Sequence, residues 1–529
     1  MTVGPTISSA PTTPTKTRSS SRGWWTAAGL ILVPALIPPI SLVWQVITKG
    51  AGSTIPIARL AQLFANTVAL SISVTLTALA IGVTTAWLTN RTNIPGRRGW
   101  LILSAMPLVV PSYVAALTLI GATGSTGLFA TWLGINIPTP YGFVGAWAAL
   151  SVFLAPMAHL ITSPALRLID PATEEAAVGL GASRLKTFAT VTLPQLRPAL
   201  VSAGLMVGLY TVSDFGAVSL LRYDTFTRAI FTLYEGQIDR RPAAFLSVVL
   251  MVVAVAILFL ERRTRSRAGY QLGSVKRRRS LINLSRRVKF ASLGFLSLYS
   301  ILAILIPTAV LVFWLLRGIN AGVEIGSFWD ETVRTVSIAL VAAALAALAS
   351  LPLAMVTTWR RNRLSPAVET SVWAVYALPH ITVGVAVISF ALAWTRPLYQ
   401  TIGLLVLVYV AMFMAQSVST VQDSLRRSSP SLEEASTGLG KSPFETLRRV
   451  TLPITAPGLI AGAALVSLSV MKELPATLLL RPNGFETLAI RIWSSTGEGF
   501  YTSASVASLV LLAVSIVPLL ALTYRDLSD

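Results

Sequence analysis

The segment of this sequence that comes closest to a catalytic motif is Gly-Leu-Gly-Lys-Ser at positions 438–442. Such residues end a phosphate-binding loop, in which backbone N–H groups surround the phosphates and a lysine contacts them. A complete loop also needs a glycine where this chain has Ala435, and it follows a buried strand, whereas a polar segment containing Pro430 precedes it here. The sequence therefore favours a glycine turn after a helix over a nucleotide site.

Other residue types that carry chemistry are scarce. The absence of cysteine excludes disulfides, iron–sulfur clusters and thiolate metal sites. The two histidines, His159 and His380, lie in or near apolar segments, where a lone histidine usually packs or lines a polar gap. Because no nucleophile–base pair or metal-ligand cluster is evident, we predict that the chain is not an enzyme and binds no cofactor, and we assign no metal ligands.

The composition indicates a membrane protein. Of the 529 residues, 54% are hydrophobic and 12% are charged, whereas a soluble domain carries about 25% charged residues. Apolar runs long enough to cross about 30 Å of hydrocarbon recur, and they lack the alternating polarity of barrel strands. We predict an all-α polytopic membrane protein with about 12 spans, at residues 25–46, 64–88, 101–120, 141–161, 198–219, 243–260, 290–316, 335–356, 372–394, 401–421, 457–478 and 502–522.

The net charge of +21 is distributed unevenly among the loops. Basic residues cluster before the first span, after the second, after the sixth and after the eighth, whereas residues 121–140 carry no charge. This positive-inside pattern predicts a multi-pass protein of the plasma or inner membrane with both termini cytoplasmic, and basic loops near anionic lipid headgroups. We do not expect nucleic-acid binding, because no basic stretch is interleaved with stacking aromatic residues.

An internal repeat divides the chain. Residues 169–200 and 428–459 match without a gap at a separation of 259 positions, which pairs Glu175 with Glu434 and Gly181 with Gly440. Further upstream, AMPLVV from Ala105 resembles ALPHIT from Ala377. The chain is therefore one six-span unit written twice. Since each unit has an even number of spans, both have the same orientation and can pair about an axis along the membrane normal.

The repeat also predicts the domain boundaries. The first half comprises residues 25–262 and the second comprises residues 290–529. A basic cytoplasmic linker, 263–289, joins them. The first 24 residues are rich in Thr, Ser and Pro and read as a disordered cytoplasmic tail.

Two carboxylates occupy equivalent places in the two halves. Asp214 and Glu473 each lie 16 residues after a proline of the repeat, which is about 24 Å of helix. An acidic group at that depth costs a few kcal/mol unless it faces a cavity or a partner, and carboxylate oxygens suit a hard cation. We predict that Asp214, Lys472 and Glu473 line a translocation path. The alternative is that Glu473 pairs with Lys472 or Arg481, and Asp214 with Arg222, to hold the outer loops.

The repeated segment has the sequence of a short capped helix. Asp170 followed by Pro171 predicts the helix start, because a side-chain oxygen caps free N–H groups and proline suits the first turn. Glu174 and Glu175 then lie near the positive end of the helix dipole. Gly181 permits the left-handed turn that ends the helix.

The second copy repeats these features, with Ser429-Pro430 at the helix start and Gly440 at its end. In both copies an amphipathic segment follows, at residues 184–191 and 444–450, before a Leu-Pro pair is expected to redirect the chain into the next span. We therefore predict one short, rigid helix projecting from the membrane in each half. Its duplication favours docking in a groove of a partner over an ordinary loop helix.

Both copies carry the motif Glu-Ala-Ala-x3-Gly-x9-hydrophobic-x-Leu-Pro, with Ser436 replacing the second alanine in the second copy. This motif resembles the permease signature of type I binding-protein-dependent ABC importers. The resemblance covers nearly the whole chain after the tail. It implies a duplicated MetI-like permease fold, in which each repeated loop is a coupling helix seated in a cleft of an ATPase. The implied coupling residues are Glu174, Glu175, Ala176, Ala177, Gly181, Leu193, Pro194, Glu433, Glu434, Ala435, Ser436, Gly440, Leu452 and Pro453.

The same resemblance implies the partners and the cargo. Two copies of a separate ABC ATPase would bind and hydrolyse Mg-ATP, and an extracytoplasmic binding protein would deliver the substrate. Fusion of both halves in one chain, together with residues 213–218 and 472–482, is similar to the ferric-iron permeases, with thiamine or another small solute as the alternative. The expected function is import of ferric iron by alternating access. A secondary transporter is the alternative class, but it would have no reason to keep two capped cytoplasmic helices.

Overall fold

The computed structural model describes residues 18–52, 55–268, 281–323 and 326–528. Within these residues the regular elements are helices, apart from one isolated β-bridge between Thr92 and Ile282. The predicted all-α class is confirmed. Helices are what apolar runs of this length can form in lipid, because every backbone N–H and C=O is then satisfied inside the segment.

The first half contains twelve helices, several of them short. They are α1 (Arg18–Lys49), α2 (Ile57–Arg91), α3 (Arg97–Ala105), α4 (Ser112–Ala122), α5 (Leu128–Leu133), α6 (Phe143–Leu168), α7 (Pro171–Gly179), α8 (Arg184–Thr187), α9 (Leu193–Ser213), α10 (Gly216–Leu220), α11 (Phe226–Gly236) and α12 (Arg241–Ala268).

The second half repeats this order, with α13 and α14 forming one helical body in the place of α1. Its helices are α13 (Arg286–Ser300), α14 (Ile306–Asn320), α15 (Trp329–Thr357), α16 (Ser365–Ala377), α17 (His380–Trp394), α18 (Ile402–Arg426), α19 (Ser431–Gly438), α20 (Pro443–Thr446), α21 (Leu452–Met471), α22 (Pro475–Leu480), α23 (Leu488–Glu498) and α24 (Tyr501–Ser528).

Ten described helices are long and apolar enough to cross a membrane, and two bent pairs raise the number to the predicted twelve. The segment containing α3 meets α4 at 96°, and α16 meets α17 at 101°. The runs at 101–120 and 372–394 are therefore broken rather than single helices. The backbone is extended at both breaks, at Val110-Pro111 and at Leu378-Pro379. The residue before a proline avoids the helical region of backbone angles.

The bends correct one part of the internal alignment. Pro111 and Pro379 are the equivalent prolines, since each immediately precedes the helix after the bend. The resemblance of AMPLVV to ALPHIT instead paired Pro107 with Pro379, and that register is wrong. In the structural register, Ser112 and His380 are equivalent first residues of α4 and α17.

The fifth and eleventh spans also differ from the prediction. Apolar character continues to residues 219 and 478, but α9 ends at Ser213 and α21 ends at Met471. A short helix follows each break. The carboxylate at each break accepts hydrogen bonds from backbone N–H groups of this short helix, and this competes with continuation of the long helix. The amphipathic helices α11 and α23 come next, and hydropathy did not reveal them because only one face of each is apolar.

The first helix of each half packs on the other half. Helix α1 lies against α15, α16 and α17, where Ala28 and Leu32 join a core with Leu353 and Ala354. Reciprocally, α14 lies against α4. Helix α4 of the first half also contacts α23 and α24 of the second, and α17 of the second half contacts α11 and α12 of the first. This reciprocity is that of two equivalent halves related by a two-fold axis, and it interlocks them.

A close approach secures this exchange at Gly121. The indole Nε1 of Trp314 in α14 donates to the Gly121 carbonyl oxygen at 3.0 Å. A Cβ atom at Gly121 would lie 2.7 Å from that same nitrogen. Only glycine therefore fits at this contact between α4 and α14.

The ends of the halves differ somewhat from the predicted boundaries. Residues 1–17 of the tail and 269–280 of the linker lie outside the described residues, but residues 18–24 belong to α1 and 263–268 to α12. The predicted tail and linker are therefore shorter, because a helix that leaves the hydrocarbon can continue with its own backbone bonds satisfied. Beyond the undescribed part, the Ile282 N–H donates to the Arg91 carbonyl at 2.8 Å.

Candidate functional site

The first repeated loop forms the predicted short helix, α7. The Asp170 carboxylate Oδ1 accepts a hydrogen bond from the Ala172 N–H at 3.0 Å, which confirms the predicted cap. Gly181 has a φ of 84°, so the predicted left-handed turn is also confirmed. The Gly181 and Ala182 N–H groups donate to carbonyls of the last turn and close the helix end.

Glu174 fastens α7 to the membrane helices of its own half. Its Oε1 accepts a hydrogen bond from the Thr192 hydroxyl at 2.6 Å, and its Oε2 forms a salt bridge with Arg91 at the end of α2. The Arg91 side chain is only 3% exposed. Glu174 therefore links α7 both to α2 and to the helical segment that leads into α9.

The second half repeats this arrangement with equivalent residue types. Glu433 Oε1 accepts from the Thr451 hydroxyl, and Glu433 Oε2 lies 2.7 Å from Arg360 Nη2. The Glu433 side chain is 6% exposed. Two of the predicted coupling residues, Glu174 and Glu433, therefore face inward as anchors of the coupling helices.

The sequence analysis did not identify the arginine partners. Glu174 and Glu433 are 259 positions apart, but Arg91 and Arg360 are 269 apart, because the residues between arginine and glutamate number ten fewer in the second half. An ungapped comparison therefore misses them. The signal that could have found them is an arginine at the end of the second and eighth spans, where each basic loop begins.

The outward face of each of these two helices is exposed. Glu175 and Ala176 are exposed on α7, and Glu434 and Ala435 are exposed on α19. The following leucines, Leu180 and Leu439, are 90% and 82% exposed. Ala177 and Ser436 are half-buried, and the Ser436 hydroxyl contacts the Thr446 hydroxyl at 2.9 Å. Each half thus presents a small-residue face beside one exposed leucine.

The Gly-Leu-Gly-Lys-Ser segment is the turn that ends α19. Gly440 has a φ of 79°. The Lys441 ammonium lies 3.0 Å from Glu445 Oε1, an exposed pair four residues apart. The lysine thus forms a surface ion pair in a glycine turn, as the sequence analysis favoured.

The Leu-Pro pairs do not redirect the chain, which corrects the prediction. Leu193 and Leu452 continue the helix with ordinary helical angles. A wider π-helical turn precedes each pair, at Phe188–Thr192 and Leu447–Thr451. Proline has no N–H and its ring crowds the carbonyl four residues earlier. The extra residue in the wider turn accommodates Pro194 and Pro453 without a kink.

A cavity of about 200 Å³ lies between the two halves. It is formed by the helix ends at both bends and at both breaks after α9 and α21. Its polar and aromatic lining residues include Ser112, Tyr113, Tyr210, Ser213, Asp214, Tyr376, His380, Gln416, Ser469, Lys472 and Glu473. The structure therefore brings the three predicted pathway residues, Asp214, Lys472 and Glu473, to one place.

Asp214 starts the helix that follows the first break. Its Oδ1 accepts from the backbone N–H groups of Ala217 at 3.0 Å and Val218 at 3.4 Å, and it also accepts a hydrogen bond from Ser112. Asp214 is 6% exposed. The alternative pairing of Asp214 with Arg222 is wrong, since the Arg222 guanidinium lies over the Tyr141 ring instead.

Glu473 is the equivalent residue of the second half and has a different partner. Its Oε1 accepts from the Ala476 N–H at 3.0 Å, and its Oε2 lies 2.6 Å from His380 Nδ1. The alternative pairings of Glu473 with Lys472 or Arg481 are wrong. Arg481 pairs with Glu486 at 3.5 Å, and the Lys472 side chain extends toward the first half instead.

Lys472 connects the halves across the cavity. Its Nζ donates to the Leu108 carbonyl oxygen at 3.4 Å, and the Tyr113 hydroxyl donates to the Lys472 carbonyl at 3.5 Å. Both contacts cross from the second half to the first. The Tyr210 phenol lines the same cavity as Asp214 and Glu473.

The other histidine is outside this site. His159 is buried in α6, with Nδ1 3.0 Å from the Thr85 hydroxyl. Within the described ranges, no group of three or more His, Cys, Asp or Glu side chains could hold one metal ion. The cavity therefore contains scattered charged side chains among polar and apolar ones.

Comparison with known proteins agrees with this architecture. The family described as binding-protein-dependent transport system inner membrane component matches twice, at residues 78–261 and 349–525. The Fe(3+)-transport system permease protein FbpB 2 of Haemophilus influenzae is 31% identical over 508 residues, which is 94% of this chain and 98% of that protein.

Two more distant relatives are named for ferric iron and for sulfate. The ferric transport system permease protein FbpB of Actinobacillus pleuropneumoniae is 24% identical over 82% of this chain and 66% of its own length. The sulfate transport system permease protein CysT of Escherichia coli is 29% identical over 36% of this chain and 70% of its own length. The duplicated family match and the near full-length similarity show that this chain belongs to the inner-membrane permease components of binding-protein-dependent ABC transporters.

Proposed function

We propose that this chain is the permease of an ATP-driven importer that carries ferric iron from an extracytoplasmic binding protein into the cytoplasm. The observation that supports this most directly is the pair of coupling helices, α7 and α19. Each projects an exposed face and is anchored by an Arg–Glu–Thr set to the membrane helices of its own half. Two such helices suit two copies of a partner ATPase.

The anchors explain how force could pass from the ATPase to the membrane. Because Glu174 joins α7 to α2 and to the helix leading into α9, movement of α7 carries the first half with it. Glu433 does the same for the second half through Arg360 and Thr451. When ATP draws the two ATPase subunits together, the halves change their spacing. Shifting a two-state equilibrium from 1:99 to 99:1 requires about 5.5 kcal/mol of differential interaction.

The exposed residues would form the contact with the ATPase. Glu175, Ala176, Glu434 and Ala435 present the slim outer faces of the helices, flanked by the exposed leucines of both glycine turns. A narrow face beside an apolar side chain is what a helix needs to enter a groove. Gly181 and Gly440 end the two helices, and the remaining predicted coupling residues would maintain the shape of each helical loop.

The cargo is proposed from two independent supports. One relative, aligned over 98% of its own length, is named for Fe(3+) transport. The sulfate relative is aligned to only 36% of this chain. The cavity between the halves contains Asp214 and Glu473, and carboxylates favour a hard cation. Asp214, Lys472 and Glu473 would line the path, with carboxylates attracting the ion and the ammonium limiting its residence.

The orientation follows from charge. The coupling helices lie at the ends of α2 and α15, where the basic segments 91–98 and 359–363 also lie. Basic loops favour the cytoplasmic side, which is also where an ATPase would act. We therefore propose that both termini are cytoplasmic.

The test is reconstitution of the full chain with its ATPase and candidate binding proteins in lipid vesicles. We expect ATP hydrolysis to rise when the binding protein is loaded with ferric ion and to remain basal with thiamine. Stimulation by thiamine or sulfate with no response to ferric ion would contradict the iron assignment. Failure of any ATPase to bind α7 and α19 would contradict the coupling role.

A further inference from the structure

The hydrogen bond between His380 and Glu473 determines which ring nitrogen is available to a ligand. Nδ1 lies 2.6 Å from Glu473 Oε2. An ionised carboxylate can only accept, so Nδ1 carries the proton and donates. In the neutral ring Nε2 then keeps its lone pair, which is the form in which imidazole binds metals. A carboxylate holding the second nitrogen is the common support of a metal-binding histidine.

The surroundings fix the ring in place without enclosing it. His380 is the first residue of α17, directly after the bend. Its ring packs edge-on against Phe413 with centroids 5.3 Å apart. The side chain is 29% exposed and lines the cavity. An oriented ring with an accessible edge is suited to contact something that occupies this space.

Glu473 itself is fully engaged. One oxygen accepts from the Ala476 N–H and the other faces His380. Its role toward a ligand is therefore to position the imidazole. In the first half the equivalent pair is Ser112 with Asp214, so the imidazole is present on one side of the cavity only.

The cavity limits what this ring could meet. Its volume of about 200 Å³ lies below the roughly 300–1,000 Å³ of pockets that enclose drug-sized molecules. Within the described part of the chain no three metal-ligating side chains converge, so water would complete the shell of a bound cation. Weak binding with few protein ligands suits an ion that must leave again.

Lys472 brings a competing positive charge into the same cavity. Its Nζ hydrogen bond, at 3.4 Å, is to a backbone carbonyl of the first half. An entering cation would therefore be repelled by this ammonium while it is attracted by Asp214. Removing that charge should strengthen cation binding.

We propose that His380 Nε2 is a contact point for a partly hydrated transition-metal cation crossing the cavity, positioned by Glu473 and opposed by Lys472. This rests on the proposed function for the route, and it names one protein contact for the ion along that route. Imidazole is a ligand for iron as well as for copper, nickel and zinc.

The experiment uses tag-free full-length chain in lipid nanodiscs, titrated with Cu²⁺ and followed by electron paramagnetic resonance. Because the chain has two histidines, coupling to an imidazole nitrogen can arise from His380 or His159 alone. We expect one such signal in the wild type, its loss in His380→Ala, and its retention in the matched control His159→Ala. Glu473→Gln should keep the signal but weaken affinity by about 10–100-fold, and Lys472→Met should tighten it.

Nitrogen coupling that is absent in the wild type, or that survives in both His380→Ala and His380→Gln, would overturn the proposal. The Gln variant covers the case in which the Ala variant does not elute as a folded species. Ferric-stimulated ATP hydrolysis by the wild-type complex reports on the proposed function separately. Ferric-stimulated ATP hydrolysis without an imidazole-nitrogen signal would refute only the His380 contact. An imidazole-nitrogen signal without ferric-stimulated ATP hydrolysis would refute only the iron assignment.

Discussion

Replacing Glu433 by alanine should loosen the second coupling helix without affecting its outer face. The substitution removes the salt bridge to Arg360 and the hydrogen bond from Thr451. Breaking a buried pair costs about 3–5 kcal/mol. Because the Arg360 side chain is 22% exposed and can recover water, we expect about 2 kcal/mol here. That corresponds to roughly a 30-fold larger open population of α19.

Hydrogen exchange of the α19 amides measures this opening directly. In Glu433→Ala the amides of Ser431–Gly438 should exchange roughly 30-fold faster than in the wild type, with exchange in α15 and α21 unchanged. Glu433→Gln keeps acceptors for Thr451 and Arg360 but loses the charge, so its effect should be about half as large in free energy.

Glu434→Ala is the matched control. Glu434 is the neighbouring exposed acid, so exchange in α19 should stay within about 0.5 kcal/mol of the wild type, while binding of the ATPase weakens. Equal acceleration in both alanine variants, or wild-type exchange in Glu433→Ala, would refute the assignment of Glu433 as the anchor.

Four other substitutions test different parts of the molecule. Gly440→Val places a β-branched residue at a φ of 79°, at a cost of about 1–2 kcal/mol, and should uncouple ATP hydrolysis from uptake; wild-type uptake by the reconstituted variant would contradict this. Leu439→Asp changes a side chain that is 82% exposed, so melting should not change but the ATPase should copurify at a fraction of the wild-type yield; an equal yield would remove Leu439 from the docking face. Gly121→Val pushes a side chain into the indole of the other half, which should cost about 1–3 kcal/mol and lower the melting temperature in nanodiscs; an unchanged melting temperature would show that the contact can relax. The double variant Asp214→Ala with Glu473→Ala should abolish uptake while the ATPase still assembles, and unchanged uptake would exclude both from the path.

Features that repeat locally were predictable from the sequence. The caps and glycine turns of α7 and α19 depend on residues within about one or two turns of each other, so their types and spacing suffice. The number of spans was predictable for a similar reason, since length and apolarity determine whether a segment can cross.

Features that depend on distant residues were not predictable. Hydropathy averages over a window and cannot show that Pro111 and Pro379 divide two apolar runs at nearly a right angle. Arg91 and Arg360 were missed because the loops before the repeat differ in length. The partner of Glu473 lies 93 positions away in the sequence, and the nearer lysine and arginine made a plausible but incorrect choice.

The two halves are alike where they would receive force and unlike where they would meet cargo. The anchors Glu174 and Glu433 have the same partners in kind, because unequal coupling of the two helices would turn a symmetric closure into a one-sided strain. Along the central cavity no such requirement holds, since both halves line a single passage. There the second half carries Lys472 and His380 where the first carries Ser213 and Ser112. Fusion into one chain guarantees that each unlike half always meets its complement, which a pair of identical permease chains could not provide.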